Sequence, residues 1–211
     1  MEKENKINLY IDADDTILLS SETIISLLNE KYNLIPPKTI KDLKDWHYRS
    51  IYSLLTVDEV ESLYESDSFF DKVVVDPLFI DFYNKYKNNF NFIIVTKGTP
   101  LNLSKKQKYF ESKIGNEIKF VGMRFIKDVD GKYLWEYNKS SVNMDGGIQI
   151  DDRSDSLKST NASVKILIKR GDFFWNNPLS YQNVENLYVA SDWKQIAEIL
   201  LFFKKNKEFI N

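Results

Sequence analysis

Short apolar runs, each stopped by polar residues, alternate along most of this chain with stretches in which apolar residues recur at three- and four-residue spacing. Ile7 to Ile11 is the first run, halted by Asp12-Ala13-Asp14-Asp15-Thr16. A short continuous apolar run between polar boundaries predicts a buried strand, here one that delivers a carboxylate-rich loop. From Ser20 or Ser21, either of which suits an N-cap, Ile24, Ile25, Leu27 and Leu28 recur at helical spacing until Pro36-Pro37 stops the pattern. Residues 38 to 68 read as further helix, with Thr56-Val57-Asp58-Glu59 as a capping box before Val60, Leu63 and Tyr64. No alternating strand pattern appears between 20 and 72.

Asp76-Pro77 then offers an N-cap with proline at the first helical position, opening a helix through Leu78, Phe79, Phe82 and Tyr83. Phe92-Ile93-Ile94-Val95 is a second buried-strand pattern, ending in Thr96-Lys97-Gly98-Thr99-Pro100. A lysine-rich helix at 103 to 114 and a strand at Ile118 to Gly122 follow. After a polar stretch with an Asp130-Gly131 turn signal, Gly147-Ile148-Gln149-Ile150 is halted by Asp151-Asp152. The rhythm continues with Val164 to Ile168, a loop through Trp175-Asn176-Asn177-Pro178, Leu187 to Val189, and a helix from Asp192 to Lys205. Strands alternating with helices predict an α/β fold, a Rossmann-like parallel sheet with helices on both faces. The helical block at 20–72 breaks the alternation and reads as a small insertion after the first strand, leaving 1–19 and 73–211 as the core domain. No solenoid repeat is visible, and neither GxGxxG nor GxxxxGK[ST] occurs.

The chain has 211 residues, 43% hydrophobic and 28% charged, with 14 Phe, 12 Tyr and 4 Trp to fill a core. This excludes disorder as its overall state. There is no cysteine, and His47 is the only histidine. Thiolate nucleophiles, disulfide scaffolds and Cys-rich zinc sites are therefore excluded, and a Ser-His-Asp scheme would depend on one residue. Any catalysis is expected to rest on carboxylates, hydroxyls and lysines, with or without an oxygen-preferring metal. A net charge of −2 gives no general attraction to nucleic acid or an anionic membrane, so no stable nucleic-acid binding is expected. The N-terminal run fits neither a signal peptide nor a membrane span, and a cytoplasmic location is expected.

Three apolar strands in succession end in Asp12-x-Asp14-x-Thr16, in Thr96 and in Asp151-Asp152. Each alone has an ordinary structural reading as a turn or helix cap. In an open α/β sheet, however, ligands bind at the carboxyl ends of the strands, so these residues would converge on one site. Crowded carboxylates raise one another's pKa unless a cation neutralises them. An oxygen-rich pocket of this type suits Mg²⁺.

The run Leu9-Tyr10-Ile11-Asp12-Ala13-Asp14-Asp15-Thr16-Ile17 resembles the first motif of the haloacid dehalogenase-like (HAD) phosphohydrolases, Ile93-Ile94-Val95-Thr96 their second, and Ile148-Gln149-Ile150-Asp151-Asp152 their fourth. Residues 20–72 sit where that superfamily places a helical cap. Within it, Phe69-Phe70, Asn138-Lys139-Ser140 and Ser191-Asp192-Trp193 are similar to features of the 5'(3')-deoxyribonucleotidase group. The resemblance implies an Mg²⁺-dependent phosphatase acting on small phosphomonoesters, nucleoside monophosphates first among them. It makes Asp12 the nucleophile that forms an aspartyl-phosphate and Asp14 the general acid and base. Asp12, the Asp14 carbonyl and the acidic pair would hold the metal, Asp152 directly and Asp151 behind it. Thr96 would bind phosphate, and two lysines compete for the remaining phosphate contact, Lys139 ahead of Lys106. Of the cap aromatics, Trp46, His47 and Phe70 are the substrate-facing candidates, although Phe70, like Tyr52 and Phe69, also suits simple packing. Where the group presents an aromatic to the nucleoside this chain has Ser20, a departure from its pyrimidine specificity. Alternatives are a phosphatase for sugar phosphates or polynucleotide 3' ends, and a non-catalytic HAD-like binding protein. The retention of both Asp12 and Asp14 argues against the last.

Overall fold

The apolar runs become strands β1 (Ile7–Ile11), β2 (Phe90–Gly98), β3 (Lys119–Lys127), β4 (Tyr133–Trp135), β5 (Ile148–Asp151), β6 (Val164–Ile168) and β7 (Leu187–Ala190). The computed structural model describes residues 6–127, 133–135, 138–171, 173, 175 and 182–206. The strands form one sheet in the order β4-β3-β2-β1-β5-β6-β7, parallel throughout except for β4. The antiparallel edge strand β4, paired to β3 through Phe125–Trp135, is an addition to the sequence reading. Its three residues are too few to show a period, and the expected Asp130-Gly131 turn lies outside the described residues.

Seven helices accompany the sheet among the described residues: α1 (Ser20–Tyr32), α2 (Val57–Glu65), α3 (Asp67–Lys72), α4 (Pro77–Tyr86), α5 (Pro100–Ile114), α6 (Ser154–Ser159) and α7 (Trp193–Asn206). Strand side chains alternate between faces, and the core divides accordingly. Leu9, Ile11, Phe92, Ile94, Ile150 and Ile166 pack with Phe79 and Phe82 of α4 and Trp193 and Ile196 of α7. Tyr10, Ile93 and Val95 point the other way, toward Met123, Met144 and Ala162. β1 is thus buried on both faces and flanked on both edges, which fixes the loop that follows it.

Residues 38–68 depart from the expected helix. Between α1 and α2 there is only a single 3₁₀ turn at Ile40–Asp42, and residues 43–56 are irregular. The cause is local: the Asp45 carboxylate accepts the backbone N–H groups of His47, Arg49 and Ser50 at 2.7–3.0 Å, amides that a helix would pair internally. Tyr48, at φ 56°, completes the turn. By contrast the Thr56 capping box forms as expected, and Asp76 and Thr99 cap α4 and α5, each with proline in the first turn. Residues 64–67 are tied to α5. Asn102 Nδ2 donates to the Tyr64 carbonyl at 2.7 Å, and Lys105 Nζ reaches the Glu65 carbonyl at 2.7 Å and Asp67 at 2.6 Å. No helix among the described residues is long and apolar enough to cross a membrane.

Candidate active site

Asp12 follows the last residue of β1, and its N–H donates to the Ile150 carbonyl at 2.9 Å, extending the β1–β5 ladder by one step. That step brings Asp12 beside Asp151, the last residue of β5. Both are buried, as are Asp152 and Lys139. Lys139 enters from a 3₁₀ turn (Lys139–Ser141) capped by Asn138. Its ammonium contacts Asp12 Oδ1 and lies 2.7 Å from Asp151 Oδ2. Asp151 also accepts from Gln149 Nε2 at 3.2 Å and from the Arg153 N–H at 3.0 Å. Asp152 accepts from the Trp175 indole N–H at 2.8 Å.

Asp12, Asp151 and Asp152 each place a carboxylate oxygen within 4.8 Å of the others. Burial, with Asp151 and Asp14 nearby, pushes the Asp12 carboxyl up to about 6 even against the attraction of Lys139. Burial, and after it the charges of Asp12, Asp151 and Asp15, drive Asp152 well above the usual carboxylate range. Lys139 is held protonated by Asp12 and Asp151 in spite of its own burial. One ammonium therefore faces three buried carboxylates. This oxygen-only, charge-deficient set fits a hard divalent cation such as Mg²⁺.

Asp14 belongs to a second cluster. Ser20 Oγ donates to its Oδ1 at 2.7 Å, and Lys106, buried on α5, contacts its Oδ2. The same ammonium lies 3.3 Å from Thr96 Oγ1 and 3.2 Å from the Lys97 carbonyl. Asp15, at φ 52°, turns away and receives the Ser21 N–H at 2.8 Å. It thus does for α1 what a capping serine was expected to do; the N-cap position itself is Leu19 and makes no side-chain cap. Burial raises the Asp15 carboxyl to about 6. Ser21 Oγ continues through Tyr48 and Tyr64 in a chain of hydroxyls at 3.0 and 2.7 Å. Behind the loop, Arg170 holds the Thr16 carbonyl at 2.5 Å and Asp76 at 2.6 Å.

These groups open on a cavity of about 390 Å³, walled by Asp12, Asp14, Lys139 and Asp152 on one side and by Trp46, Tyr48 and Tyr64 of the insertion on the other. Lys97, Arg153 and Trp175 complete it. Trp46 and Trp175 are stacked, centroids 4.1 Å apart, with Phe173 beneath Trp175 at 4.4 Å and the Arg153 guanidinium 3.9 Å from the Trp46 ring. Of the residues singled out in the sequence, Asp12, Asp14, Asp152, Lys139 and Trp46 meet at this cavity. Asp151, Thr96 and Lys106 lie immediately behind its wall. His47 and Phe70 do not reach it. His47 is exposed, and Phe70 packs against Phe69 and Tyr109. Sequence reasoning missed Lys97 and Arg153, neighbours of motif residues, and Trp175, whose loop carried no periodic signal.

No protein-family model and no curated protein matches the sequence. Solved structures match its fold. A haloacid dehalogenase-like family hydrolase from Streptococcus pneumoniae is 14% identical, with 92% of this chain and 98% of that one covered and a TM-score of 0.60. A predicted phosphoglycolate phosphatase from Haemophilus somnus is 13% identical over 92% and 98% of the two chains, TM-score 0.55. YfnB of Bacillus subtilis, assigned as a HAD-hydrolase and solved bound to magnesium, is 17% identical over 93% and 99%, TM-score 0.54. The chain has the α/β, Rossmann-like fold of the HAD-like hydrolases.

Proposed function

We propose that this protein is an Mg²⁺-dependent phosphatase that hydrolyses small phosphomonoesters, with nucleoside monophosphates as the leading substrate class. The observation that carries the reading is the placement of Lys139 between Asp12 and Asp151, with Asp152 in the same buried cluster at the ends of β1 and β5. Asp12 attacks phosphorus and carries the phosphoryl group as an acyl phosphate. Asp14, held at the cavity wall by Ser20 and Lys106, gives a proton to the leaving oxygen and then takes one from the water that cleaves the intermediate. Lys139 offsets charge on the transferring group. Asp12, Asp152 and the Asp14 carbonyl would hold the metal, which when bound supplies further positive charge to the phosphoryl oxygens. Lys106 spans Asp14 and Thr96 and keeps both in register with the cavity.

A second reading, hydrolysis of sugar phosphates, is favoured by one observation. Each tryptophan at the cavity is already covered on both faces, Trp46 by Arg153 and Trp175, and Trp175 by Trp46 and Phe173. Neither Trp46 nor Trp175 therefore offers an open ring face to a nucleobase. Phosphate release from an aryl phosphate with Mg²⁺, lost in Asp12→Asn, tests the chemistry. A panel of ribo- and deoxyribonucleoside monophosphates, hexose phosphates and phosphoglycolate separates the substrate classes. No turnover on any member would overturn the proposal.

A further inference from the structure

Asp152 is held by one side chain from a distant segment. The Trp175 indole N–H lies 2.8 Å from its Oδ2, and Trp175 is itself fixed on three sides. Ser154 Oγ, buried beside the acidic pair, donates to the Trp175 carbonyl at 3.2 Å. Phe173 lies parallel beneath the indole, with 1° between planes. The last side is covered by Trp46, which belongs to the inserted segment and stacks at 4.1 Å and 25°. Trp46 is in turn pressed down by Arg153, 3.9 Å away, whose guanidinium is fixed by two contacts to Asp155 at 2.9 and 2.6 Å. The residues running from Asp151 to Asp155 thus both offer the carboxylates and anchor the stack that aims at them.

We infer that Trp175 is a positioning residue for the cation site, and that Trp46 acts through it, so that seating of the inserted segment and assembly of the cation site are one event. The inference rests on the proposed phosphatase reading, in which Asp152 is a metal ligand. An N–H donor on one carboxylate oxygen fixes the rotation of the group, so the carboxylate meets a cation in a single orientation. The indole can hold that direction only while its ring cannot tilt, and Trp46 is a wall contributed from the segment between β1 and β2. Trp46 remains 38% exposed, with the Trp175 ring and the Arg153 guanidinium against it.

The test is magnesium binding to the full chain without substrate, followed by titration calorimetry, with thermal unfolding in chelator as the control for folding. Trp175→Phe keeps an aromatic ring in the stack and removes the N–H donor; the magnesium dissociation constant is expected to rise about tenfold or more. Trp46→Ala is expected to raise it by about threefold in the otherwise unchanged chain and to add nothing in the Trp175→Phe background, because coupled residues are non-additive. Trp46→Leu, which restores an apolar cover, should recover part of the loss. Unchanged affinity in Trp175→Phe, or equal effects of Trp46→Ala in both backgrounds, would overturn the inference while leaving the phosphatase reading standing. A lower melting temperature with unchanged affinity marks a merely structural role and overturns it too. No magnesium binding by the unsubstituted chain would overturn both.

Discussion

Replacing the proposed nucleophile should make the metal-free protein more stable. Asp12 is only 9% exposed, and its carboxyl rises from an ordinary 3.8 to about 6 on folding. At about 1.4 kcal/mol per tenfold change in proton affinity, keeping it ionised in the folded state costs about 3 kcal/mol. The sign follows from the direction of the shift. A carboxyl with a raised folded-state pKa leaves stability undiminished below about pH 3.8, and stability falls as pH rises through about 6. Asparagine is the nearest stand-in for the protonated acid. In chelator, Asp12→Asn is therefore expected to be more stable than the unsubstituted chain by up to about 3 kcal/mol at about pH 7.5, and by little at about pH 4. Urea unfolding at the two pH values measures this. Millimolar Mg²⁺ should narrow or reverse the difference, because the unsubstituted chain gains binding free energy that the variant forgoes. Equal stabilities at neutral pH, or a gain of the same size at acid pH, would refute the view that burying an ionised Asp12 among other carboxylates costs the fold stability.

Three further outcomes are expected. Lys139→Met should lower phosphatase kcat/KM by about 10²- to 10³-fold, the effect of removing one preorganised charge from the reacting group; Lys106→Met should cost less, and steady-state kinetics of the pair rank them. Arg170→Met leaves the buried Asp76 carboxylate without its cation, and urea unfolding should show a loss of about 3–5 kcal/mol. Glu61, on α2, is raised to about 7, chiefly by burial and then by Asp14 and Glu65 against Lys106. Its contribution is undiminished below about pH 4.5 and lost as pH rises through about 7, so Glu61→Gln should flatten the fall in melting temperature between those values.

The acids of the site were legible because a polar stop after an apolar run marks a strand's carboxyl end, and parallel pairing of β1 with β5 brings such ends together. Asp12, Asp14 and Asp151-Asp152 needed nothing more. The lysines were harder to rank. Lys106 sits on a helix whose start was visible, whereas Lys139 sits on a single 3₁₀ turn without period, and only the fold shows that one serves Asp12 and the other Asp14. Residues 43–56 were misread as helix because apolar spacing does not register that the Asp45 carboxylate captures the local amides. Trp175 was invisible for another reason. Its role depends on Asp152 and Trp46, contacts between segments far apart in the chain that no local pattern encodes.

The grip of α5 on the insertion has a consequence for access. Asn102 and Lys105 fasten the Tyr64–Asp67 corner to the same helix that carries Lys106, and Lys31 and Tyr32 at the end of α1 contact Glu59 on α2. The roof of the cavity is therefore pinned along one side.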